Sequence, residues 1–431
     1  MKIINILFVI FPYLLFSQTK MVNTEYDRSS LHVMMINDPF MDKSQIIKNT
    51  FVSMPFPDKY NNHLLKERYA NVLGKASDIP NKGVPGFKLN GIEDKINNYF
   101  KEKKIANQLV SKWLNRNSAT GVCNMDMIFK RGLYNATQED VDEADMLGKD
   151  EDALKNSGTS LLKNTFVVVE YFEFIDNEKF ARPAAEAIYA AAVENAKKQK
   201  NEIMREIQIK AAEAILNAAL EKAKGYNVWT HAYLYQLEWN DTIQQNFFNA
   251  AWISQSDIQK NRYNDAELKK RIDAFNDPNL FNLKFVGKAR ATTLISNFKE
   301  ERSESDQIKE ATIRSVDKVY VKLQKKFDVF KTKSSFDISD NGKTCTAKIG
   351  MKEGLEGGEK FDVLAPNYRT NGTINWVKKG TIKVDKKSIW DNRFYLTRPQ
   401  ELDKEDAITA TSFKGCKSKW IDMNYLIRQQ K

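Results

Sequence analysis

From Phe180 to Lys224 the chain contains no glycine and a single proline, Pro183, and it is rich in Ala, Glu, Lys and Ile. A stretch with strong helix formers throughout and no residue suited to a turn winds into helix. Ile203, Ile207, Ala211, Ala214, Ile215 and Ala218 keep one helical face, and Gly225 supplies the stop. The flanks have the opposite character. Asn164 to Phe172 holds a near-continuous β-branched and aromatic run, Phe166-Val167-Val168-Val169, that reads as an interior strand, and Val228 to Trp239 reads as a second. Strand, helix, strand implies a βαβ unit with a parallel pair and a right-handed crossover. The helix is longer than a crossover needs, so it is expected to project beyond the sheet.

Further elements surround this unit. Ile92, Ile96, Tyr99, Phe100, Ala106, Leu109, Val110 and Trp113 recur at helical spacing. A second helix is expected near Thr137, where Asp140 completes a capping pair. Phe281 to Ala291 reads as another strand, and Ile308, Ala311, Val316, Tyr320, Leu323, Phe327 and Phe330 mark an amphipathic helix. Residues 100–333 therefore read as one α/β domain, containing the βαβ unit and long helices. Upstream, 18–99 is a mixed segment in which Leu31 to Ile36 reads as a buried strand or short helix ended by Asp38-Pro39. Beyond Phe336 the period changes to two. Cys345, Ala347 and Ile349 alternate with polar residues, as do Phe361 and Val363, then Ile374, Trp376, Ile382 and Val384. Asn341-Gly342, Gly357-Gly358 and Asn371-Gly372 punctuate these runs. Residues 334–431 read as a small antiparallel β domain.

The chain opens on Lys2, an apolar run from Ile3 to Phe16, then Ser17 and Gln18. That is the layout of a secretory signal peptide over 1–17, and the run is short of the roughly 20 apolar residues a membrane span needs. The mature chain is expected to begin near Gln18 and to contain no membrane span. No cysteine follows the apolar run, which argues against a lipid anchor. The net charge of +11 is diffuse, with no block of five or more basic residues. It suits simple solubility or peripheral contact with an anionic surface; no nucleic-acid reader motif accompanies it. Three cysteines, Cys123, Cys345 and Cys416, are too few for a disulfide framework. In an exported protein Cys345 and Cys416 can pair, being in the same β-rich region, or remain two buried thiols.

Candidate chemistry is sparse. His32, His63 and His231 have no second His or Cys at metal-ligand spacing, and packed core roles fit them better than ligation or base catalysis. Cys123 as a nucleophile would need a base such as His63 or His231 within reach; a buried structural thiol is the plainer reading. The acidic cluster Asp140, Asp142, Asp145, Asp150 and Asp152 suggests calcium, but Ala144 stands at the third ligand position and Asp145 at the glycine position of an EF-hand loop, so a solvated helix face is the better reading. Gly354-Leu355-Glu356-Gly357-Gly358 lies between strands and reads as a turn, not a phosphate loop. The aromatic row Tyr226, Trp229, Tyr233, Tyr235 and Trp239 places Trp229, Tyr233, Tyr235 and Trp239 on one strand face, where they serve core packing or stack on a sugar. No catalytic residue, cofactor or metal is expected.

Trp113-Leu114-Asn115-Arg116, Arg131-Gly132-Leu133-Tyr134-Asn135-Ala136-Thr137, the run from Leu161 to Val169 and the leader ending Phe16-Ser17-Gln18 together resemble a group of uncharacterised secreted envelope proteins of Bacteroidetes type. The resemblance covers the middle third of the chain and implies a compartment: periplasm, outer-membrane association or secretion. It carries no catalytic residues. The α/β middle followed by a β tail is also loosely similar to envelope assembly proteins such as the curli-secretion-channel family, a likeness of fold that does not fix function. The reading is therefore a non-enzymatic envelope component that binds or assembles with an envelope protein or surface polymer. The alternative is a hydrolase acting on envelope glycan or peptide, whose paired carboxylates would converge only in the fold.

Overall fold

The computed structural model describes residues 29–57, 59–74, 91–128, 158–296, 303–339, 342–368, 374–393, 408–420 and 425–430. The expected signal peptide, the helix near Thr137, the acidic cluster from Asp140 to Asp152 and the turns at Asn341 and Asn371-Gly372 lie outside the described residues.

The molecule combines helices with two separate sheets. The first is mixed, with strands β1 (Ser30–Ile36), β2 (Asn61–Asn62), β3 (Tyr69–Ala70), β4 (Thr165–Asp176), β5 (Gly225–Leu237) and β6 (Leu283–Ser296) in the order β2-β1-β4-β5-β6, with β3 also on β1. β4 holds its centre, parallel to β1 from Ser30↔Thr165 to Met35↔Glu170. Nine consecutive residues from Thr165 to Glu173 are buried, as expected of a strand covered on both faces. Phe166, Val168 and Phe172 point into a core shared with α1 (Ser44–Ser53) and α10 (Glu304–Lys326). Val167, Val169 and Tyr171 point the other way, against α2 (Ile92–Glu102) and α3 (Ile105–Trp113). Each such large side chain contributes about 1.5–3 kcal/mol by leaving water. The α/β unit thus reaches upstream of residue 100, because β1 and α1 complete its sheet and one of its cores.

The parallel pair expected around the long helix is corrected. After the short helix α4 (Thr159–Lys163), β4 runs into α5 (Asn177–Lys197); the chain turns over Lys198-Gln199-Lys200, and α6 (Glu202–Ala223) brings it back to β5. Two helices return the chain to the end it left, so β4 and β5 pair antiparallel, from Phe166↔Gln236 to Asp176↔Tyr226. The reversal needs no glycine because Lys198 and Asn201 on either side of it keep negative φ, −75° and −84°, and Asn201 caps the returning helix; Asp176 caps the outgoing one at its other end. The Asp176 carboxylate accepts from the Glu178 and Lys179 amides, and the Asn201 carbonyl accepts from the Met204 amide. The hairpin does project beyond the sheet: only Ala196 and Ala212 are buried in it.

Helices α7 (Asp241–Ala250), α8 (Gln255–Gln259) and α9 (Asp265–Phe275) link β5 to β6, with Phe247, Trp252, Phe275 and Phe281 forming an aromatic cluster against Trp113 and Trp239. The second sheet is all antiparallel and separate. Its strands β7 (Ser334–Ser335), β8 (Asp337–Ile338), β9 (Thr344–Ala347), β10 (Lys360–Tyr368), β11 (Ile374–Val384), β12 (Thr411–Lys414) and β13 (Leu426–Gln429) run in the order β7-β13-β10-β11-β12-β9-β8. A disulfide joins Cys345 of β9 to Cys416 just after β12, its paired neighbour, with Cα atoms 6.1 Å apart. The turn containing Gly354 packs on α10: a Cβ at this left-handed residue would lie 2.5 Å from Val321 Cγ1, closer than carbon atoms approach.

One residue of β4 departs from the apolar rule. Glu170 is fully buried between Met35 and Ala232, with the Tyr320 hydroxyl its one polar neighbour of hydrogen-bonding character and Arg68 the cation that acts on it. Burial pushes its pKa up to about 8, against opposing effects from Tyr320 and Arg68, so the acid is mainly protonated at neutral pH. A folded-state pKa above the unfolded value gives stability that is fully present below about pH 4.5 and is lost as pH rises through about 8. Glu170→Gln removes this dependence. The variant is expected to melt several degrees above the parent at pH 9, with the gap narrowing steadily toward pH 5; a gap independent of pH would contradict the assignment.

Candidate functional site: a basic cleft at the sheet edge

β6 is the outer strand of the mixed sheet, and its free carbonyls would otherwise invite another strand. α10 lies along it and covers them with a ladder of lysines. Lys318, Lys322 and Lys326 sit one turn apart and donate to the carbonyl oxygens of Thr292 (3.2 Å), Arg290 (2.8 Å) and Lys288 (3.0 Å). The match is geometric. Four residues of helix rise about 6 Å and two residues of strand span about 6.7 Å, so every turn of α10 meets every second residue of β6. Burial, then the charges of Arg314, Lys322 and Arg393, lowers the pKa of Lys318.

Around this edge opens a cleft of about 550 Å³ lined by His231, Tyr233, Lys288, Arg290, Lys325 and two of the ladder lysines. The register Tyr233↔Lys288 and His231↔Arg290 sets aromatic and cationic side chains beside each other. Val286 is the extra residue of a bulge between the Leu234↔Gly287 and Tyr235↔Phe285 pairs, which bends β6 at the start of the cleft. Gly287 there lets the Phe327 ring approach, since a Cβ would meet Phe327 Cζ at 2.2 Å. The Arg290 guanidinium lies 4.5 Å over the Trp229 ring, and Lys288 pairs with Glu93 at 2.5 Å.

Behind the cleft the sheet holds a buried polar cluster. His231 Nε2 lies 3.2 Å from Glu173 Oε2, and the Tyr171 hydroxyl donates to Asp38 Oδ2 at 3.3 Å. Burial, then the charges of Asp38 and Glu173, raises the Tyr171 pKa; burial, then Glu93 and Glu173, raises that of Tyr233. Both phenols are therefore neutral donors at ordinary pH. Asp38 and Glu173 are 1 % and 3 % exposed and neither lines the cleft, whose ionisable lining is histidine, tyrosine, lysine and arginine. That set can hold an anion but offers no carboxylate base or thiol nucleophile.

The other histidines have structural places. His32 accepts from the Leu65 amide (3.2 Å); burial, then the positive charges of Arg68, His63 and Lys112, drives its pKa down to about 3, so it stays neutral. His63 Nε2 faces the Leu109 carbonyl at 3.0 Å and its ring stacks on Trp113. Cys123 is buried against Trp113 and Leu114 in an apolar cluster. Of the aromatic row, Tyr235 packs edge-on to Phe100, Trp239 stacks on Phe281, and Tyr226 stacks on Phe174 from the opposite face. Only Trp229 and Tyr233 approach the cleft. The Gly354–Gly358 stretch forms the turn between β9 and β10. Among the described residues, no cluster of three His, Cys, Asp or Glu is arranged to hold a metal, and no helix is long and apolar enough to cross a membrane.

No family model matches the chain. A search of curated proteins finds no match either. The cleft is therefore read from its own chemistry.

Sequence reasoning passed over the lysine ladder. Its signal was present as Lys318, Lys322 and Lys326 at four-residue spacing, which alone reads as a solvated helix face. Replacing all three by alanine is expected to leave the fold intact while opening the β6 edge. On agitation the variant should form thioflavin-positive aggregates well before the parent; equal lag times would show that the ladder does not guard the edge.

Proposed function

We propose that this chain is an exported, non-enzymatic component of a bacterial cell envelope that holds an anionic surface polymer in the cleft between β6 and α10. The observation that carries the reading is the concentration of Lys288, Arg290, Lys322, Lys325 and Lys326 around one concave surface beside the rings of Tyr233 and Trp229, with Glu93 the one carboxylate bonded to that set among the described residues. A cleft of one sign focuses its field on a ligand of the other, and guanidinium and ammonium groups suit carboxylate, phosphate or sulfate. The overall charge of +11 acts in the same direction at longer range.

Export is supported by the apolar leader and by the Cys345–Cys416 disulfide, since such bonds persist in oxidising compartments. The resemblance to secreted envelope proteins of Bacteroidetes type favours the same compartment. The hydrolase reading receives less support at this cleft, where Asp38 and Glu173 are buried behind the lining rather than facing it; Asp317 and Glu353 do line one further cavity, beside α10, but at about 60 Å³ it is much smaller than the cleft.

Two experiments test the proposal. N-terminal sequencing of protein recovered from the envelope fraction is expected to start at Gln18; a cytosolic chain retaining Met1 would remove the compartment. Purified protein should bind polygalacturonate but not a neutral glucan, with affinity falling as salt rises. The double variant Arg290→Ala/Lys325→Ala should bind about tenfold or more weakly, a loss of roughly 1.4 kcal/mol or more. Equal binding to the neutral polymer, unchanged binding by the variant, or turnover of either polymer would overturn it.

A further inference from the structure

The hairpin α5–α6 leaves an apolar face uncovered. Phe180, Ile188, Ile203, Met204, Ile207 and Ile215 are each between 48 % and 71 % exposed, an unusual number of large apolar side chains for one free-standing element. The helices meet each other through a different face, on which Ala196 and Ala212 are buried and Ile209, Leu216 and Leu220 half-buried. Beside that seam runs an apolar groove of about 420 Å³ in which Ile188 of α5 and Ile215 of α6 both stand.

We infer that this groove is the contact surface for a second copy of the same hairpin, packed antiparallel about a two-fold axis. Three observations select that occupant. The first is shape. Along α5 the row Phe180, Ala184, Ile188, Ala192 alternates large and small residues at one-turn steps, and along α6 the row Ile207, Ala211, Ile215, Ala219 does the same. Within these four-residue rows the large residues recur every eight positions, about 12 Å, with Ile203 one turn before Ile207 lying outside the alternation, so a slide of about 6 Å seats the large residues of one copy in the alanine notches of the other. A lipid surface has no use for notches: alanine adds little buried area, and faces that enter bilayers carry Leu, Phe or Trp instead.

The second is charge. The tip half of the hairpin, 188–212, carries five cations against three carboxylates, and the base half, 177–187 with 213–224, carries four of each. Parallel copies would set Lys197, Lys198 and Lys200 of both tips together. The antiparallel arrangement sets each basic tip over a neutral base containing Glu178 and Glu221. The third is area. Helices of 21 and 22 residues are about 32 Å long, and two at 8–10 Å spacing present a face of roughly 600 Å². Two copies bury about 1,200 Å², the lower bound for a specific interface. The dimer is therefore expected to be of modest affinity, with α7 to α9 and both sheets outside the contact.

Sedimentation velocity of the full mature chain from 1 to 100 µM tests this. A concentration-dependent monomer–dimer equilibrium is expected, and Ile188→Lys/Ile215→Lys should be monomeric throughout. Both positions are exposed in the protomer, so the variant should keep the parent's near-UV circular dichroism and binding to polygalacturonate, which separates this inference from the anion-binding cleft. A paramagnetic label at Lys198 should lie nearer the partner's base than the partner's tip. The inference is overturned if the parent stays monomeric at 100 µM, if the double lysine variant still dimerises, if the labels place the tips together, or if the hairpin instead drives binding to phosphatidylcholine–phosphatidylglycerol vesicles as a monomer.

Discussion

The structure depends on the double pairing of β4. This strand lies between β1, which it meets in parallel, and β5, which it meets antiparallel over eleven residue pairs. Its side chains supply both cores, with Phe166, Val168 and Phe172 on one face and Val167, Val169 and Tyr171 on the other. Everything functional in the account is positioned from it. Glu173 anchors His231 across the β4–β5 pair, β5 sets the register of β6, and β6 presents Lys288 and Arg290 to the cleft. The hairpin is a continuation of the same two strands, displayed beyond their ends.

The strands were legible in the sequence because burial on both faces demands unbroken apolar runs, as in Phe166 to Val169, and because Val, Ile and aromatic residues favour the pleat. The helices were legible from their periodicity. The direction of β5 was not. It turns on whether the long helix breaks, and the break lies in Lys198-Gln199-Lys200-Asn201, four polar residues compatible with continuing helix. Only the capping bond from Asn201 and the contact between the two alanine-bearing faces decide for reversal. The face carrying Ile203, Ile207, Ala211 and Ile215 was correctly recognised as apolar, but its periodicity could not say that a second apolar face on α6 makes the contact within the hairpin.

The β tail was legible from its period of two, and the pairing of Cys345 with Cys416, open from sequence, follows from β9 and β12 being neighbours. The cleft was not legible, because it is made by register between β6 and α10, elements whose facing residues lie more than 25 positions apart. Its histidine was correctly read as a packed residue, yet the charge around it comes from lysines that individually resemble any solvated face. Both candidate surfaces, the basic edge and the apolar hairpin, therefore arise from ordinary residues made unusual by where the topology sets them.

The central claim is that β4 and β5 form an antiparallel pair whose helical connection is an appendage. Replacing residues 177–225 by a two-residue Asn-Gly turn between Asp176 and Tyr226 tests it most directly, since such a turn closes an antiparallel pair and cannot span a parallel one. The account predicts a shortened chain with one cooperative thermal transition and the parent's near-UV circular dichroism. A chain that fails to fold, or that melts without cooperativity, would contradict it.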